Sequence, residues 1–130
     1  MQVSINEIKE KSNIISLHTN LNETSLFLIN SYFIDECKNP FYIINTSRGE
    51  CLKTSDLVEG LKSGKILGAC LDVIENESKS FEEINSNSDL DYLKNSKNVI
   101  ITPHIAGWTY ESKVNLSKVI LEKIKHMFDL

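Results

Sequence analysis

What the chain lacks narrows it first. Only three cysteines occur in 130 residues, Cys37, Cys51 and Cys70, widely spaced and without a CxxC pair. Neither a disulfide framework nor a paired-cysteine metal site is written into such a pattern, and no metal is expected. Each cysteine falls in or near an expected helix or strand, where a reduced thiol acts as a small hydrophobe. A reducing cytoplasm is the expected setting. No apolar run approaches the ~20 residues that span a bilayer. The N-terminus has no basic segment leading into an apolar one, so no secretory signal is expected. The five glycines stand at 49, 60, 64, 68 and 107 and nowhere form GxGxxG. Basic residues are in the minority, 14 against 18 acidic, with a formal charge of −4. That balance argues against nucleic acid as the main partner. Lysines do gather at 94–97 and 118–125, but other polar residues interrupt them and they read as solvated faces.

What is present suits one compact domain with a modest core: 41% hydrophobic and 25% charged residues. Four short apolar runs stand out, Ile14–His18, Phe41–Asn45, Ala69–Val73 and Val99–Thr102. Each is continuous rather than alternating, which predicts strands of a parallel sheet covered on both faces. Between the first two, Asn30–Lys38 has the length of a helix closed by Asn39-Pro40. Thr54 or Ser55 can cap a second helix with Leu57, Val58 and Leu61 on one face, and Gly64 stands where a terminating glycine belongs. The strand–helix–strand rhythm predicts an α/β fold with right-handed crossovers. Residues 74–98 are rich in Ser, Asn, Glu and Lys and read as a long surface loop with one short helix near Asp89–Asn95. Tyr110–Phe128 reads as a long helix. Its apolar arc, from Leu116, Ile120, Leu121, Ile124, Met127 and Phe128, is wider than a single packing contact requires.

Three segments that closely follow expected strands carry the chemistry: Asn45-Thr46-Ser47-Arg48-Gly49, Leu71-Asp72-Val73-Ile74-Glu75-Asn76-Glu77 and Thr102-Pro103-His104-Ile105-Ala106-Gly107. Ligands of open parallel sheets bind beyond the carboxyl ends of the strands. One crevice there would receive an arginine, several carboxylates and a histidine. Singly, each is an ordinary surface or core residue; the set is what suggests a site. A hydrolase triad of Ser47, His104 and Asp72 fails, because Ser47 is not in a GxSxG elbow.

In this order, INTSRGE, GACLDVIENE and NVIITPHIAGWT resemble the C-terminal half of the D-isomer-specific 2-hydroxyacid dehydrogenases. The upstream segment Ile15-Ser16-Leu17-His18-Thr19-Asn20-Leu21 is similar to that family's VSLHxPLT strand end. The resemblance runs from about Ser4 to Phe128 and implies Arg48, Glu77 and His104 as catalytic residues. It places His18, Thr19, Thr46, Ser47, Arg48, Asp72, His104, Ala106 and Gly107 around the cofactor, NAD, with NADP left open. Asp72 stands 24 positions after Arg48, and Glu77 five further on, as the family pattern requires. Ser78 takes the place of the family's usual proline, and Glu75 lies two residues before Glu77. Glu75 therefore stays open as the alternative carboxylate, although spacing favours Glu77. The ending HIAGWT leans toward the phosphoglycerate-dehydrogenase-like members.

These residue types suit the implied reaction. Arginine's planar fork holds a 2-oxo acid by two parallel hydrogen bonds. Histidine can give a proton to the alkoxide formed on reduction, or take it back, and a carboxylate beside it favours the imidazolium. The resemblance further implies that residues 1–108 are the second half of a Rossmann-type dinucleotide-binding domain, three-layered. Residues 109–130 would form a helix returning to a substrate domain that lies upstream with the glycine-rich loop. Small 2-hydroxy or 2-oxo acids are the implied substrates, 3-phosphoglycerate among them. Self-association, or pairing with the remaining part of the enzyme, is expected. A non-catalytic NAD(H)-sensing or protein-binding module of the same fold is the competing reading.

Overall fold

The computed structural model describes residues 2–76 and 88–129. Its elements in chain order are α1 (Ile5–Lys11), β1 (Ile14–Leu17), α2 (Ser31–Glu36), β2 (Phe41–Asn45), α3 (Thr54–Ser63), β3 (Ile66–Leu71), α4 (Ser88–Asn95), β4 (Val99–Ile101) and α5 (Tyr110–Phe128). The four strands form one parallel sheet in the order β1-β2-β3-β4. Every strand-to-strand connection must therefore cross the sheet, and α2, α3 and α4 are those crossovers.

Local sequence explains most boundaries. Asn30 caps α2, its side-chain oxygen accepting the Phe33 N–H at 3.0 Å. Gly64 closes α3 in the left-handed conformation, φ 76°. α3 itself departs from expectation. Neither Thr54 nor Ser55 caps it: Thr54 is already helical, and its N–H is satisfied by the Glu75 carboxylate at 2.8 Å, from the loop after β3. β3 also runs earlier than expected. It starts at Ile66 and carries an irregularity, with Phe41 opposite Ile66 but Tyr42 opposite Gly68. Val73 and Ile74, which complete the apolar run in sequence, are buried as loop residues that dive back into the core. α1 was not foreseen from the sequence, because none of its residues is buried. Ion pairs join it to α2 and to the segment after it, Lys9 with Glu36 and Glu10 with Lys38, and Ile8 packs against the core.

A single core lies between the sheet and the helices. Alternate strand residues (Ile15, Leu17, Phe41, Ile43, Ile66 and Leu71) pack with Phe33 and Ile34 of α2, Leu57, Val58 and Leu61 of α3, and Leu93 of α4. The opposite face is open. Ile14 is 63% exposed and Ile100 62%, and Tyr42, Leu67 and Cys70 are exposed beside them. The anticipated third layer is thus not formed by the described residues: all three crossover helices share the first face. The strands read as continuous apolar runs because their outward residues are apolar too. α5 likewise has no buried residue, and its apolar arc, Leu116 to Phe128, faces away from the core. No described helix is long and apolar enough to cross a membrane.

Candidate active site

The carboxyl ends of β2, β3 and β4 carry the segments singled out in the sequence. β2 ends at Asn45, which is 1% exposed and organises the turn that follows. Its side-chain oxygen accepts the Ser47 N–H at 3.1 Å and the Ser47 hydroxyl at 2.9 Å, while its amide nitrogen donates to the Arg48 carbonyl at 3.0 Å. This turn leaves Arg48 exposed, one guanidinium nitrogen donating to the Ser47 carbonyl at 2.6 Å. Thr46 is exposed and Ser47 buried.

Gly49 then meets the loop after β3. A β-carbon there would lie 2.1 Å from the Ile74 carbonyl oxygen, so only glycine lets the two backbones approach this closely. The same contact region includes Glu75, whose carboxylate serves the first N–H of α3. That carboxylate has a structural task. Glu77 lies outside the described residues.

Asp72 sits just past β3 and is 4% exposed. One carboxylate oxygen accepts the Thr102 hydroxyl at 2.5 Å and the Ile105 N–H at 2.9 Å; the other accepts the Ala106 N–H at 2.9 Å. Its backbone carbonyl accepts the His104 N–H at 2.9 Å. Burial alone would push the Asp72 carboxyl up, but these donors and the nearby His104 outweigh it and hold it below its ordinary value. His104 is exposed and adopts the left-handed region, φ 53°. Gly107 is exposed, and nothing lies near where its side chain would be.

At the end of β1, His18 and Thr19 are exposed. His18 Nε2 lies 2.8 Å from the Ser16 hydroxyl, and the Thr19 hydroxyl lies 3.5 Å from the Cys51 sulfur, tying this end of the sheet to the Arg48 turn. Thr46, Leu71, Asp72, Thr102, Ile105 and Ala106 line a shallow crevice of about 210 Å³. Arg48 and His104 follow the strands on either side of β3, and neither of them lines this crevice.

Residues 1–106 match the NAD binding domain of the D-isomer specific 2-hydroxyacid dehydrogenases. The chain belongs to that family. It is 36% identical over 127 residues to an aromatic 2-oxoacid reductase of Clostridium sporogenes, covering 94% of this chain and 38% of that one. A D-lactate dehydrogenase of Staphylococcus aureus is 33% identical over 118 residues, 87% of this chain and 36% of the relative. Among solved structures, the NAD-complexed D-isomer specific 2-hydroxyacid dehydrogenase of Lactobacillus delbrueckii ssp. bulgaricus superposes with a TM-score of 0.77 at 29% identity, covering 98% of this chain and 40% of that one. The chain thus spans well under half the length of these relatives. The first two are named for aromatic 2-oxo acids and for lactate, and the lean toward 3-phosphoglycerate finds no support among them.

Among the described residues, the crevice has room for part of a dinucleotide. The crevice is smaller than the ~300–1,000 Å³ of sites that hold a whole drug-sized ligand. The backbone cradle that a GxGxxG turn makes for a pyrophosphate has no counterpart among the five glycines. The sequence points to no role for Asn45 or Thr102, and to Glu75 only as the alternative catalytic carboxylate, not as the acceptor for α3. Asn45-x-Ser47 is a recognisable side-chain-to-backbone turn, whereas the partners of Thr102 and Glu75 are 30 and 21 residues away in sequence, so nothing local announces them.

Proposed function

We propose that this chain is the half of an NAD-dependent oxidoreductase that carries its catalytic residues, interconverting a D-2-hydroxy acid and its 2-oxo acid. It would act with a glycine-rich half supplied in the same polypeptide or by another. The observation that carries this reading is the arrangement at one sheet edge, with Arg48 after β2 and His104 after β4 flanking a buried, charged Asp72. Arg48 would hold the substrate carboxylate through paired hydrogen bonds. His104 would give a proton to the developing alkoxide on reduction and remove it on oxidation. Glu77 is the better candidate for the carboxylate that pairs with His104, because Glu75 is engaged at α3. Thr46, Ser47, Asp72, Ala106 and Gly107, with His18 and Thr19 at the rim, would flank the nicotinamide end of NAD. The cofactor, when bound, supplies the hydride chemistry.

The names of the relatives favour lactate-like or aromatic 2-oxo acids over phosphorylated ones. Residues 109–130, mostly α5, would return to a second domain, which would cover the helix's exposed apolar arc. The open sheet face and α5 also suit the competing reading, a module that acts by binding protein. Thiols without disulfides suit a cytoplasmic setting.

The test is a fusion in which this chain replaces the matching segment of the Lactobacillus enzyme. NADH-dependent reduction of pyruvate, an aromatic 2-oxo acid and a phosphorylated 2-oxo acid would be followed by absorbance. Turnover of one of the first two supports the proposal. A folded, NADH-binding fusion that reduces none of the three favours the binding module instead.

A further inference from the structure

We infer that Asp72 is a positioning residue for His104, its carboxylate strapping the loop after β4 into the conformation that presents the histidine. The inference rests on the proposed proton-transfer role of His104 and adds to it a residue on the neighbouring strand through which that role is set.

Four donors from residues 102–106 converge on Asp72. The Thr102 hydroxyl and the Ile105 and Ala106 amides reach its carboxylate, and the His104 amide reaches its carbonyl. The strap therefore grips the chain on both sides of His104. That grip has something to hold, because φ 53° at His104 lies in the left-handed region that side-chain-bearing residues seldom adopt unsupported. The charge matters as much as the geometry. A carboxylate accepts at both oxygens and donates at neither, so it alone satisfies a hydroxyl and two amides together. Three of its roughly four acceptor sites are committed to the loop. A carboxylate serving the cofactor alone would not be spent in this way.

The experiment uses residues 1–130 with Asp72→Asn, a near-isostere whose NH2 group must face one of the donors. Amide hydrogen exchange by NMR reads Ile105 and Ala106 against the β3 amides of Ala69 and Cys70. Loss of charged hydrogen bonds predicts exchange at 105 and 106 faster by about ten-fold or more, with the β3 amides unchanged. Protection at 105 and 106 that stays within about two-fold of the parent chain overturns the strap. If Asp72→Asn does not fold, Thr102→Val removes one donor and leaves the carboxylate. Faster exchange at Ile105, about three-fold, is then expected, and no change overturns it.

In the fusion, Asp72→Asn should lower kcat at saturating NADH and substrate by about ten-fold or more, whatever it does to NADH affinity, because the defect lies in His104 placement. Weakened NADH binding with kcat intact at saturation would make Asp72 a cofactor contact and overturn the proposal. A fusion that is inactive with Asp72 in place defeats the functional reading alone, since the exchange result decides the strap independently.

Discussion

Gly49 and Ile74 touch backbone to backbone: a β-carbon on residue 49 would stand 2.1 Å from the Ile74 carbonyl oxygen. This contact locks the turn after β2 to the loop after β3, and so fixes Arg48 relative to the segment leading to Glu77. Since the obstruction is main chain, no rotamer change relieves it. Gly49→Ala should lower stability by at least the ~1–3 kcal/mol typical of overpacking, read as a lower denaturation midpoint. Unchanged stability would mean that the two loops separate without cost.

Acid should weaken the chain partly through Asp72. Its folded-state value is held below the ordinary 3.8, so the native state favours the charged form. The resulting stability is fully present above the unfolded value and is lost as pH falls through the folded one. Asp56 behaves in the same way. Burial raises it, but the Ser31 amide at 2.7 Å, together with Ser55 and Lys53, brings it down overall. Urea melts below pH 4 should show a shallower decline for Asp72→Asn than for the unaltered chain. Equal slopes would show that Asp72 is not held in its charged form.

The attachment of α1 is in part electrostatic. Ile8 packs against the core but no α1 residue is fully buried, and its links to the rest include Lys9–Glu36 and Lys38–Glu10. Salt at about 1 M shortens the screening length to roughly 3 Å. Exchange of the α1 amides should accelerate there while the sheet amides stay protected. Uniform behaviour across the chain would contradict this picture.

The open sheet face should drive self-association. Ile14, Tyr42, Leu67 and Ile100 form an exposed apolar surface, and β1 is a strand with only β2 beside it among the described residues. Sedimentation velocity should show mass rising with concentration, and Tyr42→Lys with Ile100→Lys should suppress the rise. A concentration-independent monomer would show that these faces are covered or harmless.

How much of this was legible in the sequence depends on the range of the interaction. β2 and α5 lie where their patterns put them, because a short apolar run and a long 3.6-residue period are local signals. Gly64 ended α3 as a glycine does. The start of β3 was missed since its irregularity reflects pairing with β2, not composition. The α3 cap was misplaced on Thr54 or Ser55 because the true acceptor, Glu75, arrives from another loop. α1 escaped notice because hydrophobic pattern reveals only helices that bury a face. Of the proposed site, Arg48, Asp72 and His104 are named by the resemblance of their segments, but the hydrogen bonds that converge on Asp72 are not legible in the sequence. That the described residues supply only one helical layer is a property of tertiary arrangement, and apolar strands give the same sequence signal whether or not a second layer is present.

The central claim, that His104 is the proton-transfer group of a 2-oxo acid reductase, is tested most directly by one measurement. His104→Ala, made in the active fusion, should lower kcat by about 10²–10⁴-fold with little change in NADH affinity. Reduction of every accepted 2-oxo acid at near-normal kcat by that variant would contradict the account.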